Sequence, residues 1–306
     1  MQSESINHSA DADTLSATPQ LGVAGLGLIG GSLAKALRDA FPLARIIAAD
    51  ADYKALEAAS GDDCVDEAII ANNKGEFLRF FEGCDFLFLC APPSAVEAQL
   101  SALSDLNIGL VTDVASVKLP VMKAAAGLAN FVGGHPMAGS EGSGFAASDA
   151  GLFQGASYIL CAPDDFDAND ARLARLERII AAIGAKPIRM DAEAHDRRMA
   201  LISHLPHAAA FALAASPALR GDPLSRSLIG GGFRDTTRIA ASAPPLWADI
   251  FMESRFLPEA IDALADELRA LRDLIAGGDK PALEAFLRSA SDFRKTIPEG
   301  LRAASK

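Results

Sequence analysis

A glycine pattern set between an apolar strand and an amphipathic helix constrains this chain more than any other feature. Leu21 to Gly31 reads Leu-Gly-Val-Ala-Gly25-Leu26-Gly27-Leu28-Ile29-Gly30-Gly31 and runs directly into Ser-Leu-Ala-Lys-Ala-Leu-Arg. In such a turn Gly25 allows the tight bend, Gly27 lets backbone approach a pyrophosphate, and Gly30 lets helix and strand pack closely. Leu28 and Ile29 open the helix, whose N-terminus attracts phosphate charge. A second strand, Arg45-Ile-Ile-Ala-Ala-Asp50, ends in a carboxylate 20 residues beyond Gly30. That acid would accept hydrogen bonds from adenosine ribose hydroxyls. Ala51 and Asp52 follow with no arginine, so a 2′-phosphate would meet repulsion, which favours NAD over NADP. The plainer alternative is a structural glycine turn in an α/β domain without cofactor.

From Leu21 to about Met190, apolar strand candidates alternate with helical patterns, the signature of a doubly wound parallel sheet of Rossmann type. The expected strands are Leu21 to Ala24, Ile46 to Asp50, Phe86 to Cys90, Leu110 to Asp113, Phe131 to Gly133, Tyr158 to Cys161 and Pro187 to Met190. Ala91-Pro92-Pro93 stops the third of these at the carboxyl edge, where ligands of such sheets bind, so Ala91 and Pro92 join the cofactor-binding candidates. Beyond Asp191 strand-like runs vanish, and stretches rich in Ala, Leu, Arg and Glu continue to the end, broken by Gly230-Gly231-Gly232 and Pro244-Pro245. The expected organisation is a polar, disordered extension over 1–19, a dinucleotide-binding domain over 20–190 and an all-helical substrate and dimerisation domain over 191–306.

With 306 residues, half of them apolar, the chain can bury a large core, and it contains no uninterrupted run able to span a membrane. A formal charge of −12 argues against nucleic acid and anionic membrane as partners. The start lacks the basic and apolar regions of a signal peptide, and four cysteines show neither metal spacing nor a disulfide framework, which suits a reducing cytoplasm.

The second informative stretch is Phe131-Val-Gly-Gly-His135-Pro136-Met-Ala-Gly139-Ser-Glu141-Gly, a histidine in a glycine-dense loop after an apolar strand. An imidazole, with an ordinary pKa of about 6.5, can accept a proton at neutral pH. Glycines around it clear space for a ligand, although a structural histidine capping a strand end is the plainer reading. Ser116, in Asp113-Val-Ala-Ser116-Val-Lys118, orients either His135 or a substrate hydroxyl, or else caps a helix. His195, His204 and His207 offer no zinc set, since no Cys or carboxylate stands at ligand spacing and an ideal helix would point His195 and His204 to opposite faces. Pro206 should kink its helix, which fits a substrate wall, and His204 could equally be a satisfied core residue. Phe233-Arg234-Asp235-Thr236-Thr237-Arg238 offers two guanidinium forks for a carboxylate; surface pairing with Asp235 suits Arg234 better than Arg238. Trp247, the only tryptophan, packs core or interface in the first reading and a site wall in the second.

Taken in order, the glycine fingerprint, Asp113 to Lys118, Gly134-His135-Pro136-Met-Ala-Gly139-Ser-Glu141, His204-Leu-Pro-His207 and Gly232-Phe-Arg-Asp235-Thr-Thr-Arg238-Ile-Ala resemble the prephenate and arogenate dehydrogenases of tyrosine biosynthesis, over residues 21 to about 295. The resemblance implies an NAD-dependent oxidative decarboxylation in which His135 takes the 4-hydroxyl proton of prephenate and the ring carboxylate leaves as CO₂. It also implies that Ser116 orients that histidine, that Arg238 anchors a substrate carboxylate, and that His195, His207, Glu141, Asp235 and Trp247 line or gate the pocket. A homodimer through the helical domain follows from it too. Because the chain stops after the helices, any feedback by tyrosine is expected at the active site. Ser242-Ala243-Pro244 departs from the family, which commonly carries an acid in the middle, at an expected helix cap.

Three rival readings remain. An arogenate-specific dehydrogenase differs only in an alanyl for a pyruvyl side chain, and Glu141 could favour the amino group by charge. A β-hydroxyacid dehydrogenase would need a lysine on the first long helix after the sheet, yet no lysine stands between Lys186 and Lys280. A non-catalytic NAD-binding sensor has no need for a histidine, a serine and an arginine fork at one sheet edge.

Overall fold

The computed structural model describes residues 18–71, 76–140, 142–163, 166–167, 170–216 and 223–297. Glu141 and nearly all of the expected N-terminal extension lie outside them. Eight strands form one sheet in the order β3-β2-β1-β4-β5-β6-β7-β8: β1 (Gln20–Ala24), β2 (Arg45–Asp50), β3 (Glu67–Ile70), β4 (Phe86–Leu89), β5 (Leu110–Asp113), β6 (Phe131–Pro136), β7 (Ser157–Cys161) and β8 (Lys186–Arg189). The central strands are buried on both faces, as parallel sheets covered by helices require, and β4 is buried at every residue. One apolar cluster joins Val23, Ile46 and Phe88 to Leu33 and Leu37 of α1 (Leu28–Ala40) and to Leu176 and Ile180 of α5 (Ala171–Ala182). The other joins Ile47, Leu87 and Val111 to Val96 and Leu100 of α3 (Pro93–Leu100) and Val121 of α4 (Leu119–Ala124). On the first face also lies α2 (Tyr53–Gly61), with Asp52 capping it through Lys54 N–H.

The sheet differs from the expected one in three ways. An additional strand, β3, runs along the edge beside β2; it is short and nowhere fully buried, so only its pairing distinguishes it from loop. Secondly, β7 runs antiparallel to β6, with His135 opposite Ile159 and Pro136 opposite Tyr158, while β8 follows β7 in parallel. A parallel return needs a crossover, usually a helix, and between β6 and β7 the chain carries only short 3₁₀ turns at Phe145–Ala147 and Ala150–Phe153. Thirdly, β6 continues to Pro136, so His135 is a strand residue and not a loop residue.

Two contacts fix the carboxyl edge. At the first, Gly25 has φ +106°, and a Cβ there would stand 2.8 Å from the Cys90 carbonyl, while a Cβ on Gly30 would collide with the Gly25 carbonyl oxygen. At the second, the β5–β6 ladder ends at Thr112 opposite Val132, and the Asp113 side chain takes over. Its Oδ1 accepts Gly134 N–H at 2.9 Å, its Oδ2 accepts Ala115 N–H at 2.8 Å, and the same oxygen meets Lys118 Nζ in an ion pair with no exposed side-chain surface on either partner.

After β8 the described chain is helical: α6 (Ala192–Met199), a π-helical turn at Ala200–His204, α7 (Leu205–Ala214), α8 (Pro223–Ser227), α9 (Gly231–Thr237), a 3₁₀ turn at Arg238–Ala241, α10 (Pro244–Glu253), α11 (Leu257–Gly277) and α12 (Lys280–Thr296). Pro206 does not kink a long helix; it sits in the first turn of α7, directly after the π turn, where its missing N–H costs little. Two compact units result. One runs through His195 and takes in Ala243–Asp249, and the other holds Asp196–Ser242 and the chain from Ile250 onward. No disulfide joins the four cysteines, and burial pushes the Cys84 thiol up to about 11. No helix among the described residues is long and apolar enough to cross a membrane.

Two stability changes are expected. Gly30→Ala should lower the denaturation midpoint by the equivalent of about 1–3 kcal/mol, the usual cost of forcing atoms into a packed site, whereas Gly27→Ala, with nothing within 4 Å of the new Cβ, should leave the midpoint nearly unchanged. Lys118→Met leaves a buried carboxylate without its cation and should cost about 3–5 kcal/mol; a wild-type midpoint in urea would refute the clamp.

Candidate active site

The glycine turn and the β4 edge lie against one another, so the cofactor-binding candidates Gly25 and Ala91 share one place, with Pro92 as the residue before α3. Gly27 caps α1 without a side chain, the first turn of α1 holds no acid, and the space where a Cβ would stand is open. Leu28 and Ile29, half-buried, form that first turn. A helix N-terminus with open backbone and no competing carboxylate fits a pyrophosphate. Asp50 ends β2 as expected, and its carboxylate braces the turn: Oδ2 accepts Leu26 N–H at 2.5 Å and Oδ1 accepts Asp52 N–H at 2.7 Å. Each oxygen keeps a further lone pair for a ribose hydroxyl. These features together suit a dinucleotide.

His135 is presented by β6 two strands from β4, with only 6 % of its surface exposed. Its Nδ1 lies 2.8 Å from Nε2 of His195, which is fully buried on α6, and the two rings meet edge to face with centroids 5.0 Å apart. The Nδ1 of His135 therefore faces an imidazole. Ser116 itself is half-buried in the turn between β5 and α4. The glycine before His135 has a steric cause, since a Cβ on Gly134 would strike the Asp113 carbonyl and approach Thr112 Oγ1 at 2.8 Å.

Sequence reasoning passed over the groups behind His135. Asp113 and Lys118 form their buried pair five residues apart, and Tyr158, opposite Pro136, is fully buried with a hydroxyl that finds no hydrogen-bond partner among the described residues. Burial first, then the nearness of the buried Cys90 thiol and of the Asp113 carboxylate, push that phenol well above its usual range, so the hydroxyl keeps its proton. The available signal was a lysine and an aspartate five residues apart with only Val114, Ala115, Ser116 and Val117 between them.

In the helical unit His204 is fully buried, its Nδ1 2.7 Å from Ser254 Oγ. His207 is half-buried; its Nδ1 donates to the Ser203 carbonyl at 2.9 Å, which leaves Nε2 as the acceptor of the neutral ring. Burial holds its pKa below the ordinary imidazole value, with the Ser203 bond opposing. Asp235 and Arg234 are exposed on α9 and Arg238 is exposed at the start of the following 3₁₀ turn. The surface ion pair expected between Arg234 and Asp235 is absent among the described residues. Trp247, half-buried on α10, lies in the segment that belongs to the first unit. Among the described residues no group of three or more His, Cys, Asp or Glu is arranged to hold a metal ion.

Comparison with known proteins places this geometry in context. Residues 33–189 match the family described as "Prephenate dehydrogenase, nucleotide-binding domain", and residues 191–289 match "Prephenate dehydrogenase, dimerization domain". The chain is 32% identical over 287 residues to the prephenate dehydrogenase of Bacillus subtilis, covering 90% of this chain and 75% of that one. To the cyclohexadienyl dehydrogenase of Zymomonas mobilis it is 33% identical over 293 residues, 90% of this chain and 95% of that one. A crystal structure of prephenate dehydrogenase from A. aeolicus in complex with hydroxyphenyl propionate and NAD⁺ superposes with a TM-score of 0.81 at 31% identity, covering 94% of this chain and all of that one. The two family matches together span residues 33–189 and 191–289, well over half of the chain, and the chain belongs to the prephenate dehydrogenase family.

Proposed function

We propose that this chain catalyses the NAD-dependent oxidative decarboxylation of prephenate to 4-hydroxyphenylpyruvate in tyrosine biosynthesis. The observation that carries the reading is the buried His135 on β6, one nitrogen held by His195, on the sheet whose glycine turn suits a dinucleotide. The cofactor supplies, when bound, an acceptor for the hydride of the ring carbon that bears the 4-hydroxyl. Gly25, Gly27, Leu28, Ile29 and Gly30 receive its pyrophosphate, Asp50 its ribose, and Ala91 and Pro92 close the same edge. His135 accepts the 4-hydroxyl proton as a carbonyl forms at that carbon. The bond to the ring carboxylate breaks, its electrons complete the aromatic ring, CO₂ leaves, and the phenolate oxygen so formed takes back a proton from His135. Ser116 orients the histidine or the substrate hydroxyl, Arg238 grips a substrate carboxylate with its fork, and His207, Asp235 and Trp247 are further candidates for holding the substrate. Similarity to a cyclohexadienyl dehydrogenase favours arogenate as a second substrate.

The protein acts as a cytoplasmic homodimer through its helical part. Support comes from the match of residues 191–289 to a dimerization domain and from apolar side chains left exposed on α11 and α12, with Ile275 at 60% and Phe293 at 68%. Such a surface marks an interaction site.

Purified protein given NAD⁺ and prephenate, or arogenate, should generate reduced cofactor. His135→Asn should lower kcat by about 10²–10⁴-fold, the usual worth of a general base, with NAD still bound. Arg238→Ala should act on KM, raising it roughly 10- to 100-fold, the worth of a hydrogen bond to a charged group. NAD binding without oxidation of either substrate would refute the enzyme and revive the sensor. Light scattering should give twice the monomer mass, and Ile275→Asp with Phe293→Asp should halve it; a monomeric wild type would end the dimer reading.

A further inference from the structure

The groups that touch His135 define more than a base. We propose that His195 is a positioning residue that holds His135 in the tautomer with its proton on Nδ1, so that Nε2 is the atom that accepts the substrate proton, and that His195 then receives the Nδ1 proton in a two-imidazole relay. The inference rests on the reading of His135 as the base.

The geometry leaves few choices. Nδ1 of His135 and Nε2 of His195 stand 2.8 Å apart, and two nitrogens at that distance share one hydrogen, donated by one and accepted by the other. If His195 were the donor, a neutral His135 would carry its own proton on Nε2 and could not accept another there. If His135 is the donor, its Nε2 lone pair is open to a proton, and His195 carries its hydrogen on Nδ1. Only the second arrangement makes His135 a base through the nitrogen that His195 does not occupy. When the substrate proton arrives on Nε2, the Nδ1 hydrogen bond becomes charge-assisted and shortens. Transfer of that hydrogen to His195 leaves His135 neutral and His195 as the imidazolium. Protons balance at each step, with one taken from the substrate hydroxyl and one passed on.

Both partners are held on regular structure, which a relay needs. His135 is locked into β6 by its pairing with Ile159 of β7, and the Asp113 carboxylate clamps the residue before it. His195 stands one turn into α6, whose start is tied down where Asp191 Oδ1 accepts Ala194 N–H at 2.8 Å and the Asp191 carbonyl accepts His195 N–H at 2.8 Å. Asp191 lies two residues beyond β8, and Met190 N–H still bonds Leu160 of β7. The helix that delivers His195 is thus anchored to the same sheet that delivers His135. With 0% and 6% of their surfaces exposed, the rings are kept from water that could replace either partner.

Nitrogen NMR of the full-length protein with ¹⁵N-labelled histidine tests this without reference to turnover. His135 should show a protonated Nδ1 and a bare Nε2, and His195 the same pattern. Replacing the partner by His195→Leu should mix the His135 tautomers and lower kcat roughly 10- to 100-fold, less than the about 10⁴-fold seen where a base is locked in the wrong tautomer, with the KM for NAD unchanged. His195→Gln, whose side-chain oxygen accepts from Nδ1–H but takes up no proton, should restore the single tautomer while kcat recovers only in part, staying about 3- to 10-fold below wild type because the relay is cut; full recovery of kcat would leave the tautomer role and remove the relay. A proton on Nε2 of His135 in the wild type, or a His195→Leu enzyme with unchanged kcat, would overturn the proposal. Should His195→Leu not fold, the wild-type spectrum and the Gln variant decide. An active His135→Asn enzyme would instead remove the base reading, while the tautomer spectrum would still report on the pair.

Discussion

The Asp113 carboxylate carries the greatest structural responsibility in this molecule. Main-chain pairing between β5 and β6 stops at Thr112 and Val132, two residues short of Gly134. From there the side chain of Asp113 continues what the ladder began, taking Gly134 N–H on one oxygen and Ala115 N–H and Lys118 Nζ on the other. Taking two charges out of water costs several kcal/mol per ion unless geometry and extra hydrogen bonds repay it. Here two backbone donors and one cation converge on one acid, so the pair fixes two strands and the following turn together. His135 sits one residue beyond this clamp and Ser116 in the turn it encloses, and their placement follows from it.

The cofactor edge is built by a parallel device. Asp50 ends β2 and takes the Leu26 amide, as Asp113 ends β5 and takes the Gly134 amide. In both cases a strand-terminal aspartate ties down a neighbouring glycine-bearing segment, Gly25-Leu26-Gly27 in the turn after β1 and Gly133-Gly134 within β6. The glycines are what allow the approach: Gly30 must clear the Gly25 carbonyl, and Gly134 must clear that of Asp113. Chemistry that needs groups held to fractions of an ångström is better served by such strand ends than by free loops.

Much of this was legible in residue order. The alternation of apolar runs and helical patterns shows the sheet, and the switch near Asp191 shows where strands cease. Three features were not legible, each for a physical reason. The strand β3 is recognisable only through its partner, since its own four residues carry no buried face. The direction of β7 is silent in an apolar run that reads equally well either way, although the missing helix before it was a usable sign. The extent of β6 was hidden because Gly-Gly-His-Pro has the composition of a loop; only the close packing of Asp113 and Tyr158 around Gly134 explains why glycines belong in that strand. At the site, the side chains singled out from sequence were those with chemistry of their own, and the ones passed over, Lys118 and Tyr158, act through burial, which single-residue chemistry does not reveal.

The distribution of histidines follows the same division between surface chemistry and buried geometry. His204 and His195 are both fully buried, yet one meets a serine hydroxyl and the other an imidazole. Nine positions along an ideal helix would place them on opposite faces. The real path between them runs through α6 and a π turn, and the wider π geometry ends where Pro206 enters α7. A π turn adds a residue to the helical circuit and so resets which side chains face inward beyond it. The proline that looked like a helix breaker therefore opens α7 directly after the π turn, and the two buried histidines have different partners, His195 the imidazole of His135 and His204 the hydroxyl of Ser254, the residue after α10.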